Sequence, residues 1–90
     1  MSTSDNRAVR MTATGSAGVG PARIRTIVLT STAGAGRLTV LNGENGSTAL
    51  DLDIIASSTH SVTIDGNGIR VSDIWISAFA NLTAVTFFYS

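Results

Sequence analysis

The segment SDIWISAFANLTAVTFFYS, residues 72–90, sets the tightest limit on how this chain can fold. Side chains of an extended strand alternate faces with a period of two. That spacing places Ile74, Ile76 and Ala78 on one face and Trp75, Ser77 and Phe79 on the other. Beyond a turn at Asn81, Val85, Phe87 and Tyr89 point one way and Ala84, Thr86 and Phe88 the other. A small sheet with one wet face alternates apolar with polar residues. A hairpin apolar on both faces is therefore expected to lie inside the domain or beneath another chain.

The rest of the sequence narrows the ways such a hairpin can be covered. Ninety residues make one domain. A domain of that size buries only about 60 to 65% of its unfolded surface, which leaves little margin over conformational entropy. There is no cysteine to form a disulfide, and the single histidine, His60, makes a structural zinc site implausible. Oligomerisation is the stabilising device that remains. Residues 1–11 lack an apolar run of signal-peptide length, and no later stretch approaches the ~20 residues of a membrane span. The chain is therefore expected to be made and kept in the cytoplasm, at least initially. The sequons at Asn45 and Asn81 then reduce to turn chemistry.

Charge is sparse and balanced overall, with arginine as the only strong base, which is not a nucleic-acid footprint. Its distribution is uneven. Arg7, Arg10, Arg23 and Arg25 against Asp5 give residues 1–25 a net charge of +3. Arg37 and Arg70 against Glu44, Asp51, Asp53, Asp65 and Asp73 give the remainder −3. A basic leading segment on an acidic body favours head-to-tail contact between copies, or docking of the segment on an acidic partner.

No stretch sustains a helical period. Short runs rich in Ile, Val, Thr and Leu recur instead between Gly, Asn, Asp and Ser. This pattern predicts an all-β fold: a small antiparallel β-sandwich or barrel, jelly-roll-like, of seven or eight strands near 7–14, 23–30, 37–42, 49–55, 60–65, 69–71, 73–79 and 82–89. The glycines and lone proline of GSAGVGP, residues 15–21, read as a flexible joint between an N-terminal arm, 1–22, and a sandwich body, 23–90. Such an arm, carrying Arg7, Val9, Arg10 and Met11, suits strand addition to a sheet edge on another chain. Locally, RLTVLNGENGSTALDLDI predicts a hairpin. Leu38 and Val40 oppose Leu52 and Leu50 inside, Arg37 opposes Asp53 and Thr39 opposes Asp51 outside, and Asn42 faces Thr48.

Residues able to carry chemistry are few. Asp51 and Asp53 project from one strand face, and with Asp65-Gly66-Asn67-Gly68 could share a cation, but strand alternation alone generates that spacing and the glutamate of a calcium loop is missing. The pair is read as a solvated face or as partners of Arg37. His60 lies among Ser57, Ser58, Thr59 and Ser61, yet one histidine supplies only the base of a nucleophilic site, so it is read as a structural or interface residue. Residues 15–20 and 34–36 lack the Lys-Ser/Thr ending of a phosphate loop and open no helix, and are read as turns. No catalytic residue, metal site or cofactor is expected. The aromatics Trp75, Phe79, Phe87, Phe88 and Tyr89 are read as core plus intersubunit surface, with Trp75, Phe79, Phe88 and Tyr89 assigned to the oligomer or partner surface; a sugar-stacking platform is the alternative.

From Arg23 onward, IRTIVLTSTAGAGRLTVLNG, then LDLDI, then DGNGIRVSDIWISAFANLTAVTFFY resemble small virion structural proteins of tailed phages, of the head decoration or cement type. The resemblance implies a β-sandwich or short barrel and a homo-oligomer, expected to be a trimer. It also implies the major capsid protein as partner, a place in the virion after synthesis in the host cytoplasm, and no enzymatic activity. A tail, fibre or spike module with glycan contact is the alternative. Neither nucleic acid nor membrane is expected as a partner.

Overall fold

The computed structural model describes residues 7–64, 66 and 68–90. Nine strands are present among the described residues: β1 (Arg7–Met11), β2 (Gly15–Ser16), β3 (Ala22–Ser31), β4 (Gly36–Asn42), β5 (Thr48–Ile54), β6 (Thr59–Thr63), β7 (Ile69–Val71), β8 (Ile74–Ala80) and β9 (Leu82–Tyr89). All their pairings are antiparallel. One sheet runs β1-β9-β3-β6, with β7 beside β6 along the same edge of β3, and the other runs β2-β8-β4-β5. No strand pairs across the two sheets among the described residues, so the architecture is a sandwich rather than a barrel.

The two strand orders correspond. β1 passes to β2, β9 is preceded by β8, β3 passes to β4, and β5 passes to β6, so every column of one sheet continues into the matching column of the other. Short corners at 12–14, 32–35, 55–58 and 81 make these passages. Pairing of Met11 with Val85, Ser31 with Leu82 and Thr30 with Thr59 brings all four to one end. Ser57 and Asn81 adopt positive φ there, at 54° each. Asparagine visits this conformation more readily than most residues, and the Asn81 side chain ties the corner to the 32–35 passage by donating from Nδ2 to the Ala35 carbonyl at 3.0 Å. A single residue thus redirects the chain from one sheet to the other.

The expected C-terminal hairpin is corrected by this corner. β8 and β9 belong to different sheets, β8 between β2 and β4 and β9 between β1 and β3. Ile74 and Ile76 face Val85 and Phe87 across a common core with Ile24, Ile27, Leu29, Leu38 and Val40, all buried. Bulges then alter the alternation. Thr39 opposes Ala78 while Val40 opposes Ile76, so Ser77 is the extra residue, and Phe79 swings inward opposite Leu38 while Ala78 turns out. Arg25 is extra in β3, which is why Ile24 and Ile27, three apart, share the inner face.

The β4–β5 hairpin forms in the predicted register: Arg37 opposes Asp53, Leu38 opposes Leu52, Thr39 opposes Asp51 and Val40 opposes Leu50. Thr48 is the exception. It opposes Leu41 rather than Asn42, because Ala49 bulges out of β5. In the connecting turn a Cβ on Gly46 would overlap the Asn42 carbonyl oxygen. Gly46→Ala is accordingly expected to cost about 1 to 3 kcal/mol by forcing the turn open, read as a lower denaturant midpoint at unchanged slope.

Residues 7–20, expected to form an arm, are laid along the edges of the same sandwich. β1 pairs with β9 from Arg7 opposite Tyr89 to Met11 opposite Val85, and Val9 and Met11 pack against the core. β2 pairs with β8 through Gly15–Ile76 and Ser16–Trp75. Deleting residues 1–20 would therefore strip two edge strands from the domain.

Candidate interaction surfaces

The outer face of the first sheet is built by the strand parity that buries Ile27, Leu29, Val85 and Phe87. Opposite pairs across it are Arg10 with Thr86, Thr86 with Val28 and Val28 with Ser61, and in the next row Ala8 with Phe88, Phe88 with Thr26 and Thr26 with Thr63. Thr30 and Thr59 complete it, their hydroxyls 3.2 Å apart. The face is a field of hydroxyls around Val28 and Phe88, with Arg10 at one rim. Phe88 is 39% exposed, more than the other aromatics.

The outer face of the second sheet carries Trp75, half-buried between Leu41 and Ser16. One row on, Asp51 accepts from Arg37 at 2.9 Å and from the Thr39 hydroxyl at 3.0 Å. Arg37 thus engages the carboxylate diagonal to it rather than Asp53 directly opposite. Both partners are largely solvated, so the pair contributes about 0 to 1 kcal/mol and acts mainly on register. Asp53 is exposed and has no ion pair among the described residues.

The four aromatics assigned to one interface do not meet on one surface. Trp75 and Phe88 lie on outer faces of opposite sheets, while Phe79 and Tyr89 pack, partly buried, against the core. Of the four arm residues, Arg7 and Arg10 are exposed and Val9 and Met11 cover the core. His60 is exposed on edge strand β6, opposite Leu29, with no side-chain hydrogen bond among the described residues. Asp65 and Asn67 of the expected tight turn lie outside the described residues. Among those described, no three histidine, aspartate or glutamate side chains gather where they could hold a metal ion.

Two positions that sequence reasoning left aside organise the ends of the sandwich. Asp73 accepts the Ser16 hydroxyl and the amides of Val19 at 3.3 Å and Gly20 at 3.2 Å. One carboxylate thereby fixes β2 and the glycine-rich segment after it. The signal was the shortage of backbone partners in residues 15–20, which an acidic turn residue elsewhere in the chain had to supply. Asp73→Ala is expected to raise hydrogen exchange at the Val19 and Gly20 amides about tenfold or more, with the amides of β3 and β9 little changed. At the opposite end, buried Ser31 donates to the Ile55 carbonyl at 2.6 Å and accepts the Ser58 amide at 2.9 Å. Its place in an otherwise threonine- and isoleucine-rich strand gave no hint of this.

No protein-family model, curated protein or solved structure matches the chain.

Proposed function

We propose that the chain is a non-enzymatic structural protein of a phage particle, a decoration or cement protein that binds the head lattice as a homo-oligomer. The observation that carries this reading beyond the resemblance of residues 23–90 is the outer face of the first sheet. An exposed aromatic, Phe88, sits beside Val28 in a field of hydroxyls. An apolar centre with a polar rim is the composition of a protein-docking patch. Many such patches on a lattice bind cooperatively without high affinity per contact.

Phe88 lies outside the core, so Phe88→Ser tests the patch without emptying the interior. The variant is expected to keep its melting temperature within a few degrees and to bind isolated capsids at least about tenfold more weakly. Unchanged capsid binding would remove Phe88 from the docking surface.

The tail or fibre alternative has its own observation. Trp75 is flanked by Leu41 and Ser16, with Thr39 and Asp51 one row away, so an indole lies near polar partners on an open face. Saturable quenching of its fluorescence by sugars, together with calorimetric sugar binding that is lost in Trp75→Leu, would favour that reading.

A further inference from the structure

Each edge of a sheet presents backbone groups that no neighbour satisfies, and charged side chains commonly guard such edges against association. Here the guards differ in sign. β1, paired only with β9, carries Arg7 and Arg10; β5, paired only with β4, carries Asp51 and Asp53. These strands bound opposite sides of the sandwich, since β1 and β2, joined by the corner at 12–14, begin their sheets, and β6 and β5, joined by the corner at 55–58, end them. Pairing β1 with a second β1, or β5 with a second β5, sets like charges together. Pairing β1 with β5 of another copy sets opposite charges together.

The faces agree as well. On β1, Arg10 points outward, while Val9 and Met11 point inward opposite buried Phe87 and Val85. On β5, Asp53 points outward opposite Arg37, while Leu52 and Ile54 point inward, Leu52 opposite buried Leu38. Placing Arg10 opposite Asp53 of a neighbour sets Val9 and Met11 against its Leu52 and Ile54, whichever way the strands run. Half-buried apolar groups on both edges then become continuous with a larger core, and Arg10 and Asp53, neither with an ion pair among the described residues, acquire one. The other open edges fit less well. β6 offers His60 and Val62 on its inner side, β7 brings Arg70 toward arginines, and β2 is two residues long.

We propose that copies of this chain associate head to tail, β1 of one against β5 of the next, with Arg10 opposite Asp53. Such a heterologous contact generates a ring if the rotation closes and a filament if it does not. The inference rests on the oligomer of the preceding section and not on the capsid.

Sedimentation velocity on the full chain and on Arg10→Asp, Asp53→Arg and the double variant tests it, with circular dichroism confirming the fold of each. The wild type and the double reversal are expected to sediment as multimers, and each single reversal as one chain. Mixing the two single variants is expected to restore association, since each carries the edge that the other needs. A monomeric wild type, single reversals that keep the wild-type mass, or a mixture that stays monomeric would overturn it. A monomer that still saturates capsids would refute this contact and leave the capsid reading standing; a charge-dependent multimer with no affinity for capsids would do the reverse.

Discussion

Phe87→Ala is expected to destabilise the domain by about 3 to 5 kcal/mol, against a total of about 5 to 13 kcal/mol for a chain of this length. Phe87 is the largest fully buried side chain, at 0% exposure. It sits at the middle of the sandwich, opposite Ile27 on one neighbouring strand and Val9 on the other. Its removal leaves a cavity roofed by both sheets, whose corners at 12–14, 32–35, 55–58 and 81 restrict how far they can collapse. Thermal unfolding followed by circular dichroism should show the melting temperature fall by about 12 °C or more. A fall in melting temperature of only a few degrees would mean that the two sheets are not held together through this residue.

Ser31→Ala is expected to cost about 1 to 3 kcal/mol although it deletes a single oxygen. The cost comes from what the hydroxyl leaves behind, the Ile55 carbonyl without its 2.6 Å donor and the Ser58 amide without its 2.9 Å acceptor, both part-buried. The effect should be local as well as global. The Ser31 amide still donates to the Ser58 carbonyl at 2.8 Å and the Ser57 amide to the Thr32 carbonyl at 2.6 Å. The corner at 55–58 therefore loosens before it detaches, and hydrogen exchange should rise there first. Ser31→Thr, if its extra methyl fits, should recover protection at the Ser58 amide, which identifies the hydroxyl rather than the volume as the cause.

What the sequence made legible follows a physical division. The β4–β5 register could be read because alternation and a glycine-asparagine turn specify it together, and a slip of one residue would have exposed Leu38 and Val40. The all-β character followed from runs of Ile, Val, Thr and Leu without helical period. Alternation, however, says which face a residue takes and nothing about which strand lies beside it. Ile74–Ala80 and Leu82–Tyr89 read as a hairpin, although Asn81 sends them to opposite sheets. Bulges at Arg25, Ala49 and Ser77 each shift parity by one, and only pairing reveals them. Alternation alone groups Phe79 with Trp75, whereas the bulge at Ser77 turns it inward.

The reading of residues 1–22 shows the same limit at the level of surfaces. Val9 and Met11 are too weakly apolar to announce whose sheet they complete, and the structure lays them on the chain's own core. That leaves Arg7 and Arg10 on open edge β1 and Asp51 and Asp53 on open edge β5, so part of the separation of charge along the sequence reappears between two edges, while Arg23 and Arg25 lie on central β3 and Asp73 lies beside β2. The aromatic interface expected around Trp75, Phe79, Phe88 and Tyr89 divides for the parallel reason that its four members come from two sheets. The outer-face residue best suited to docking, Phe88, owes its position to the same alternation that buries Phe87 beside it.

The most direct test of the proposed role is the copy number of this chain in phage particles purified from a strain that carries its gene, measured by quantitative mass spectrometry against the major capsid protein. A lattice-binding decoration protein predicts a fixed stoichiometric ratio to the major capsid protein. A handful of copies, as for a tail or fibre module, or none at all, would contradict it.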